Sequence, residues 1–186
     1  MEEIQMYLDE CRDMMNKAII HLSAELAKIR AGKASPTMLD SVRVEYYGAM
    51  TPLSQVASVN TPDARTLMIK PWEKGIIPEI ERAIINSDLG LNPQNDGEQI
   101  IINIPQLTEE RRMGLVKQAR NEGENGKISI RNTRKEINDM LKQLLKDGAP
   151  EDDIKRAEEK VQSLTDEFTK KIDATLAHKE GEIMTV

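Results

Sequence analysis

Three stretches of this chain repeat apolar residues at alternating steps of three and four, and the stretch enclosed by the first two does not. From about Glu2 to Arg30 the positions Ile4, Leu8, Cys11, Met15, Ala18, Leu22 and Ile29 follow that rhythm, with one polar interruption at Glu25. Such spacing forms a coiled-coil-like seam on a helix. Ile19 and Leu26 widen it into the stripe of a bundle helix, and Gly32 followed by Pro36 supplies a stop. A second pattern begins at Thr108, a capping residue with Glu110 and Arg111 near its first turn, and reaches Gly148 through Val116, Ala119, Gly123, Gly126, Ile130, Ile137, Met140, Leu141 and Leu144. Each internal glycine costs about 1 kcal/mol relative to alanine, so a break near Asn121 to Gly126 is the alternative. One continuous helix is the expectation, because both glycines fall on the seam, where a small residue lets a neighbour approach. The third pattern follows Asp147-Gly148-Ala149-Pro150, with the proline suited to a first helical position, and carries Ile154, Ala157, Val161, Leu164, Phe168, Ile172, Leu176 and Ile183. Three such faces bury one another as an elongated three-helix bundle.

Residues 31–106 have a different grammar. Val42, Val44 and Tyr46 alternate before Gly48, and Val56 to Asn60, Thr66 to Lys70 and Gln99 to Ile104 are short β-branched or apolar runs bounded by turn formers. Pro78 to Asp88 reads as one short helix with Ile80, Ala83, Ile84 and Leu89 inward. The fold class is therefore α+β: a discontinuous bundle of residues 1–30 and 107–186, interrupted by a small α+β domain. Two connections join them, near Arg30 to Lys33 and near Asn103 to Gln106, and together they would act as a double hinge. The hinge candidates are Arg30, Ala31, Gly32, Lys33, Pro36, Pro105 and Gln106.

Composition narrows the class of protein. A chain of 186 residues with 39% hydrophobic and 31% charged content can bury a real core, while 3% aromatics and ten methionines favour helices over broad sandwiches. Cys11 is the only cysteine, which excludes an internal disulfide framework and suits a reducing compartment. The first residues lack the basic and apolar regions of a secretory signal, and no run approaches the roughly 20 apolar residues of a membrane span. The expected location is cytoplasmic, with no membrane partner.

Charge is distributed unevenly. The whole chain stands at −6, yet between Arg111 and Lys135 eight basic residues face two acidic ones. Arg120, Lys127 and Arg134 recur at intervals of seven, and Lys117 and Arg131 lie fourteen apart on the neighbouring row, so a helix here presents a cationic stripe. A solvated face is the ordinary reading of such a run. An excess of six positive charges inside an acidic molecule, with arginine favoured over lysine five to three, points instead to phosphate. Acidic surroundings would steer a polyanion to this stripe alone. Aromatic residues are not interleaved, which favours recognition of backbone and shape over unstacked bases.

Other chemistry fails on inspection. Gly126-Lys127 approaches a phosphate loop, but position 121 is Asn and position 128 is Ile. Asn92, Gln94, Asp96 and Gly97 echo a calcium loop whose twelfth position is Asn103, so a turn through Asp96-Gly97 is expected. His21 and His178 have no cysteine partners for zinc, and Cys11 sits on the seam as a packing residue. Carboxylate pairs such as Asp152-Asp153 and Glu158-Glu159 lie on polar helix faces. No enzyme, cofactor or metal site is expected.

Several strings are distinctive: Lys28-Ile29-Arg30-Ala31-Gly32-Lys33-Ala34-Ser35-Pro36, Val44-Glu45-Tyr46-Tyr47-Gly48 with Thr51-Pro52-Leu53, Ser87-Asp88-Leu89-Gly90-Leu91-Asn92-Pro93, Leu107-Thr108-Glu109-Glu110-Arg111-Arg112, and Ile130-Arg131-Asn132-Thr133-Arg134-Lys135. In these, in their order and in its length, the chain resembles the bacterial ribosome recycling factors. That resemblance implies a three-helix bundle with a β/α/β domain inserted through a hinge, L-shaped in outline like transfer RNA. It implies binding to the post-termination ribosome in the intersubunit space, and separation of the subunits with elongation factor G and GTP, releasing mRNA and tRNA, without a catalytic centre of its own. It also implies contact with large-subunit ribosomal RNA, with Arg112, Arg131 and Arg134 matching the family's arginines, and a hinge matching Arg30, Gly32 and Pro36. Together with the stripe, the rRNA-binding candidates are Arg112, Lys117, Arg120, Lys127, Arg131 and Arg134. Gly123 and Gly126 depart from the usual helix-rich filling. A monomer is expected, since three amphipathic helices in one chain can close their own core. The rival from another class is a co-chaperone or adaptor whose bundle binds a protein; a nucleotide hydrolase is weaker still.

Overall fold

The computed structural model describes residues 2–185. In chain order its elements are α1 (Glu2–Ala27), β1 (Arg43–Tyr46), β2 (Ala49–Pro52), α2 (Leu53–Val56, a single turn), β3 (Ala57–Asp63), β4 (Thr66–Pro71), α3 (Ile77–Asn86), β5 (Pro93–Asn95), β6 (Ile100–Asn103), α4 (Glu109–Lys146) and α5 (Glu151–Met184). The chain divides into two compact units, one drawn from both ends of the chain, up to Ala31 and from Glu109, and the other from Gly32–Thr108.

The first unit is a bundle of α1, α4 and α5. Leu8, Cys11, Met15, Leu22 and Leu26 form the buried face of α1. They pack against Ala119, Gly123, Gly126, Ile130, Ile137 and Leu141 of α4 and Ile154, Val161, Phe168 and Ile172 of α5. The 38-residue α4 runs unbroken through both glycines. A Cβ at Gly123 would lie 2.9 Å from Leu176 Cδ2, and one at Gly126 3.3 Å from Ile172 Cδ1 and 3.5 Å from Leu22 Cδ2. Absence of a side chain here is what lets the helices close, which offsets the helical penalty of glycine. Two seam positions differ from the sequence pattern. Leu115 rather than Val116 is buried, and Thr133 fills the gap between Ile130 and Ile137 by donating its hydroxyl to the Ser129 carbonyl at 3.1 Å. A threonine can therefore line an apolar seam because its polar atom is satisfied by its own helix.

The α4–α5 turn is a Schellman motif: Gly148 has φ +101°, its N–H donates to Leu145 O, and the Ala149 N–H donates to Leu144 O at 3.0 Å. Pro150 caps α5 from outside, one position before the helical place its sequence suggests.

The insert holds a hairpin and a four-stranded antiparallel sheet in the order β3-β4-β6-β5. Tyr47 and Gly48, at φ +48° and +79°, form a two-residue reversal that pairs β1 with β2. Leu67 and Ile69 of β4, Ile100 and Ile102 of β6, and Ile77, Ile80 and Ile84 of α3 make its core with Val44 and Leu53. Three elements have no counterpart in the sequence reading: β2, α2 and β5, which lack a β-branched run. Val56 closes α2 rather than opening a strand, which begins at Ala57. Carboxylates tie the turns. Asp63 accepts from the Arg65 N–H at 2.8 Å and from the Thr66 hydroxyl at 2.9 Å, and Asp96 accepts from the N–H groups of Glu98 and Gln99 at 2.9 and 2.8 Å. These backbone hydrogen bonds hold both carboxyls below their ordinary pKa.

Both ends of the insert are fastened to one turn: the Ala34 N–H donates to Ala64 O at 2.8 Å, and the Ile104 N–H donates to Arg65 O at 2.7 Å. Between these fastenings and the helices lie Gly32, at φ +74°, and Leu107, whose Cγ would stand 2.8 Å from a Cβ on that glycine. Pro36 starts a 3₁₀ turn capped by the Ser35 hydroxyl, on the insert side of the Ala34 bond.

Candidate nucleic-acid interface

The continuity of α4 brings the heptad-spaced cations into rows, and the neighbouring helix then divides them. Arg120 Nε donates to Glu180 Oε1 at 2.7 Å, and a second guanidinium nitrogen reaches Oε2 at 3.4 Å. The Lys127 side chain is only 28% exposed, and its ammonium meets Asp173 Oδ1 at 2.8 Å and Glu124 at 3.9 Å. Hydrogen bonds to Glu180 and Asp173 hold both cations above their ordinary pKa values. Arg131 is 62% exposed and stands 3.9 Å from Glu124, the outer limit of an ion pair. Lys117, Arg134 and Lys135 are exposed. Among the described residues, no carboxylate lies within ion-pair distance of Arg134 or Lys117. Arg112 is half-buried near the start of α4.

Glu180, Asp173 and Asp166 are spaced seven apart on α5 and mirror Arg120, Lys127 and Arg134 on the antiparallel α4. The same register places Asp166 opposite Arg134. That third rung is open; Asp166 Oδ1 accepts instead from Gln162 Nε2 at 2.8 Å. The stripe thus has a fastened stretch at 120–127, with Lys117 exposed before it and an available stretch at 131–135 after it. Sequence reasoning missed the carboxylate partners because it did not set the acids of α5 against the bases of α4; their heptad spacing was the signal that exposes the pairing.

The remaining sequence candidates are placed as follows. Cys11 is fully buried and its thiol pKa is pushed up by that burial, so it packs rather than reacts. His21 is exposed, 3.8 Å from Glu25, and His178 is exposed. Asp96 and Gly97 form the β5–β6 turn, with Gly97 at φ +91°. Among the described residues no cluster of His, Cys, Asp or Glu could hold a metal ion, and no helix is long and apolar enough to cross a membrane.

Comparison with known proteins covers both units. The ribosome recycling factor family matches residues 22–184. A ribosome-recycling factor of Amoebophilus asiaticus is 62% identical over 186 residues, the whole of both chains, and one of Cytophaga hutchinsonii is 58% identical over the same span. A solution structure of a ribosome recycling factor aligns with a TM-score of 0.76 at 35% identity, covering all of both chains. The Thermus thermophilus ribosome recycling factor, described together with the E. coli elongation factor G as bound to the E. coli post-termination complex, aligns with a TM-score of 0.60 at 46% identity over 98% of this chain and 99% of that one.

Proposed function

This chain belongs to the ribosome recycling factor family, and on that premise we propose that it binds the post-termination ribosome and, with elongation factor G and GTP, separates the subunits so that mRNA and tRNA are released. The observation that carries this reading is likeness along the entire chain, through bundle and insert alike, to proteins of that one name.

The physical mechanism starts from α4. Its available cations, Arg131 and Arg134 with Lys135 beside them and Lys117 on the far side of the fastened pairs, grip ribosomal RNA phosphates of the large subunit, where guanidinium forks bind bidentately. Arg112 adds to this face at the start of the helix. Helices of this length are stiff because every interior backbone bond is satisfied along the axis, so the bundle works as a rod. Residues 30–33 and 105–107 form the joint, since Ala34 and Ile104 are already fastened inside the insert. Pro36 then shapes the insert's edge rather than the joint itself. Displacement driven by the GTPase passes through the rod to the contacts that hold the subunits together. The chain contributes no catalytic group; GTP hydrolysis belongs to the partner. It acts as a cytoplasmic monomer.

Light scattering of post-termination ribosomes mixed with this protein, elongation factor G and GTP tests the reading, with each component omitted in turn. Scattering falls only in the complete mixture; an undiminished signal there refutes it. Arg134→Ala and Arg131→Ala each weaken ribosome binding with the fold intact, and each lowers the slope of log affinity against log salt by about one. Cross-linking the joint retains binding and depresses splitting, so full splitting by the locked protein removes the swing from the mechanism.

A further inference from the structure

The fastened stretch of the stripe raises a question that the RNA face alone does not answer: why cations at heptad spacing are paired with carboxylates at the same spacing. Surface ion pairs contribute little to stability, and the bundle already has a continuous apolar interior from Leu8 to Ile183. Their chemical effect is clearer. An ammonium or guanidinium hydrogen-bonded to a carboxylate at 2.7–2.8 Å presents a neutralised pair to an approaching phosphate, and the carboxylate's remaining lone pairs repel it. Across the next rung the arrangement stops: Asp166 Oδ1 accepts from Gln162, and no carboxylate of the described residues lies within ion-pair distance of Arg134.

We propose that Asp173 and Glu180 are specificity-determining residues of the RNA face: by holding Lys127 and Arg120 they keep the 120–127 stretch of α4 off phosphate and suppress binding to RNA in general. The inference rests on the RNA-face reading above and adds the boundary of that face. Six open cations in a row would bind any duplex. Fewer of them, separated by paired charges, bind only where the rest of the surface also fits, so the carboxylates exchange raw affinity for discrimination.

The test uses the full chain, an arbitrary duplex RNA and vacant ribosomes, with affinity followed over a salt series. In Asp173→Asn with Glu180→Gln, binding to the duplex tightens several-fold and the salt slope steepens by about two, one unit per released cation. The ratio of ribosome to duplex affinity falls. An unchanged slope, with or without a lowered melting temperature, makes the pairs purely structural and overturns the inference. A charge swap provides the second arm, because Lys127→Asp with Asp173→Lys keeps the interhelical bond and the net charge. Affinity and slope stay at wild-type values if Lys127 only ties the helices; a slope lowered by about one places Lys127 on phosphate and overturns the inference. Arg134→Ala separates the two levels: if it weakens ribosome binding while the neutralised variant gains nothing, only the screening fails, whereas no effect of Arg134→Ala on affinity or slope removes the RNA face itself.

Discussion

In the bundle, contacts between elements recur every seven residues: Gly126 admits Leu22 and Ile172, Arg120 and Lys127 meet Glu180 and Asp173, and the same seam runs from Leu8 to Ile183. In the insert there is no such period. A left-handed pair at Tyr47 and Gly48, a carboxylate at Asp63, another at Asp96 and a sheet of short strands each occur once. Repetition makes the first unit a rod whose parts share the load, while singular turns make the second a body in which each corner has its own keeper. The difference shows how a chain with one Phe and one Trp builds two cores with Phe168 as their one fully buried aromatic among the described residues, by register in one and by turn chemistry in the other.

The strongest challenge to that separation is to empty each core in turn. Phe168 is fully buried among the three helices, and Phe168→Ala is expected to cost about 3–5 kcal/mol. Hydrogen exchange should speed up throughout α1, α4 and α5 and stay unchanged in β4 and β6. Ile69→Ala, at about 2–5 kcal/mol, should give the converse pattern; protection lost equally in both units by either variant would mean one cooperative body. A smaller effect sharpens the account of close approach. Gly126→Val drives methyl groups against Ile172 and Leu22, both nearly without exposure, and should destabilise the bundle by about 1–3 kcal/mol in chemical denaturation despite losing a helix-interior glycine. Stability equal to or above wild type would show that the glycines are not spacers.

The smallest effect concerns the turns. Asp63 and Asp96 have folded-state pKa values below their ordinary range, so the unfolded chain takes up their protons first. Their contribution is present above the unfolded value, about pH 4, and is lost as pH falls through the lower folded values. Thermal melts of Asp63→Asn and Asp96→Asn followed by NMR of the sheet amides should fall below wild type at neutral pH and converge with it in acid. A deficit that persists unchanged in acid would assign the effect to shape rather than charge.

The bundle was legible in the sequence because apolar periodicity is a direct image of helix packing. Even its errors were local: Val116 in place of Leu115, and a gap where Thr133 hides its hydroxyl in a backbone bond. The insert was half legible. Leu67, Ile69, Ile100 and Ile102 announced β4 and β6, but β2 and β5 are made by their partners, since Ala49–Pro52 and Pro93–Asn95 carry no intrinsic strand preference and pair only because a reversal delivers them. For the cationic face, sequence order named the charges and their helix. It did not reveal which were engaged, because an ion pair between helices depends on antiparallel register, and register becomes visible only once the acids of α5 are counted against the bases of α4 in opposite directions.

The shared fastening of Ala34 and Ile104 to adjacent residues of one turn bears on how the chain assembles itself. Bringing α1 to α4 in a fully disordered chain means closing a loop of about eighty residues, but once the insert has folded its entrance and exit stand together and the tether shortens to about ten, a saving in closure entropy of about 2 kcal/mol. The folded middle of the chain thus acts as a staple for its two ends.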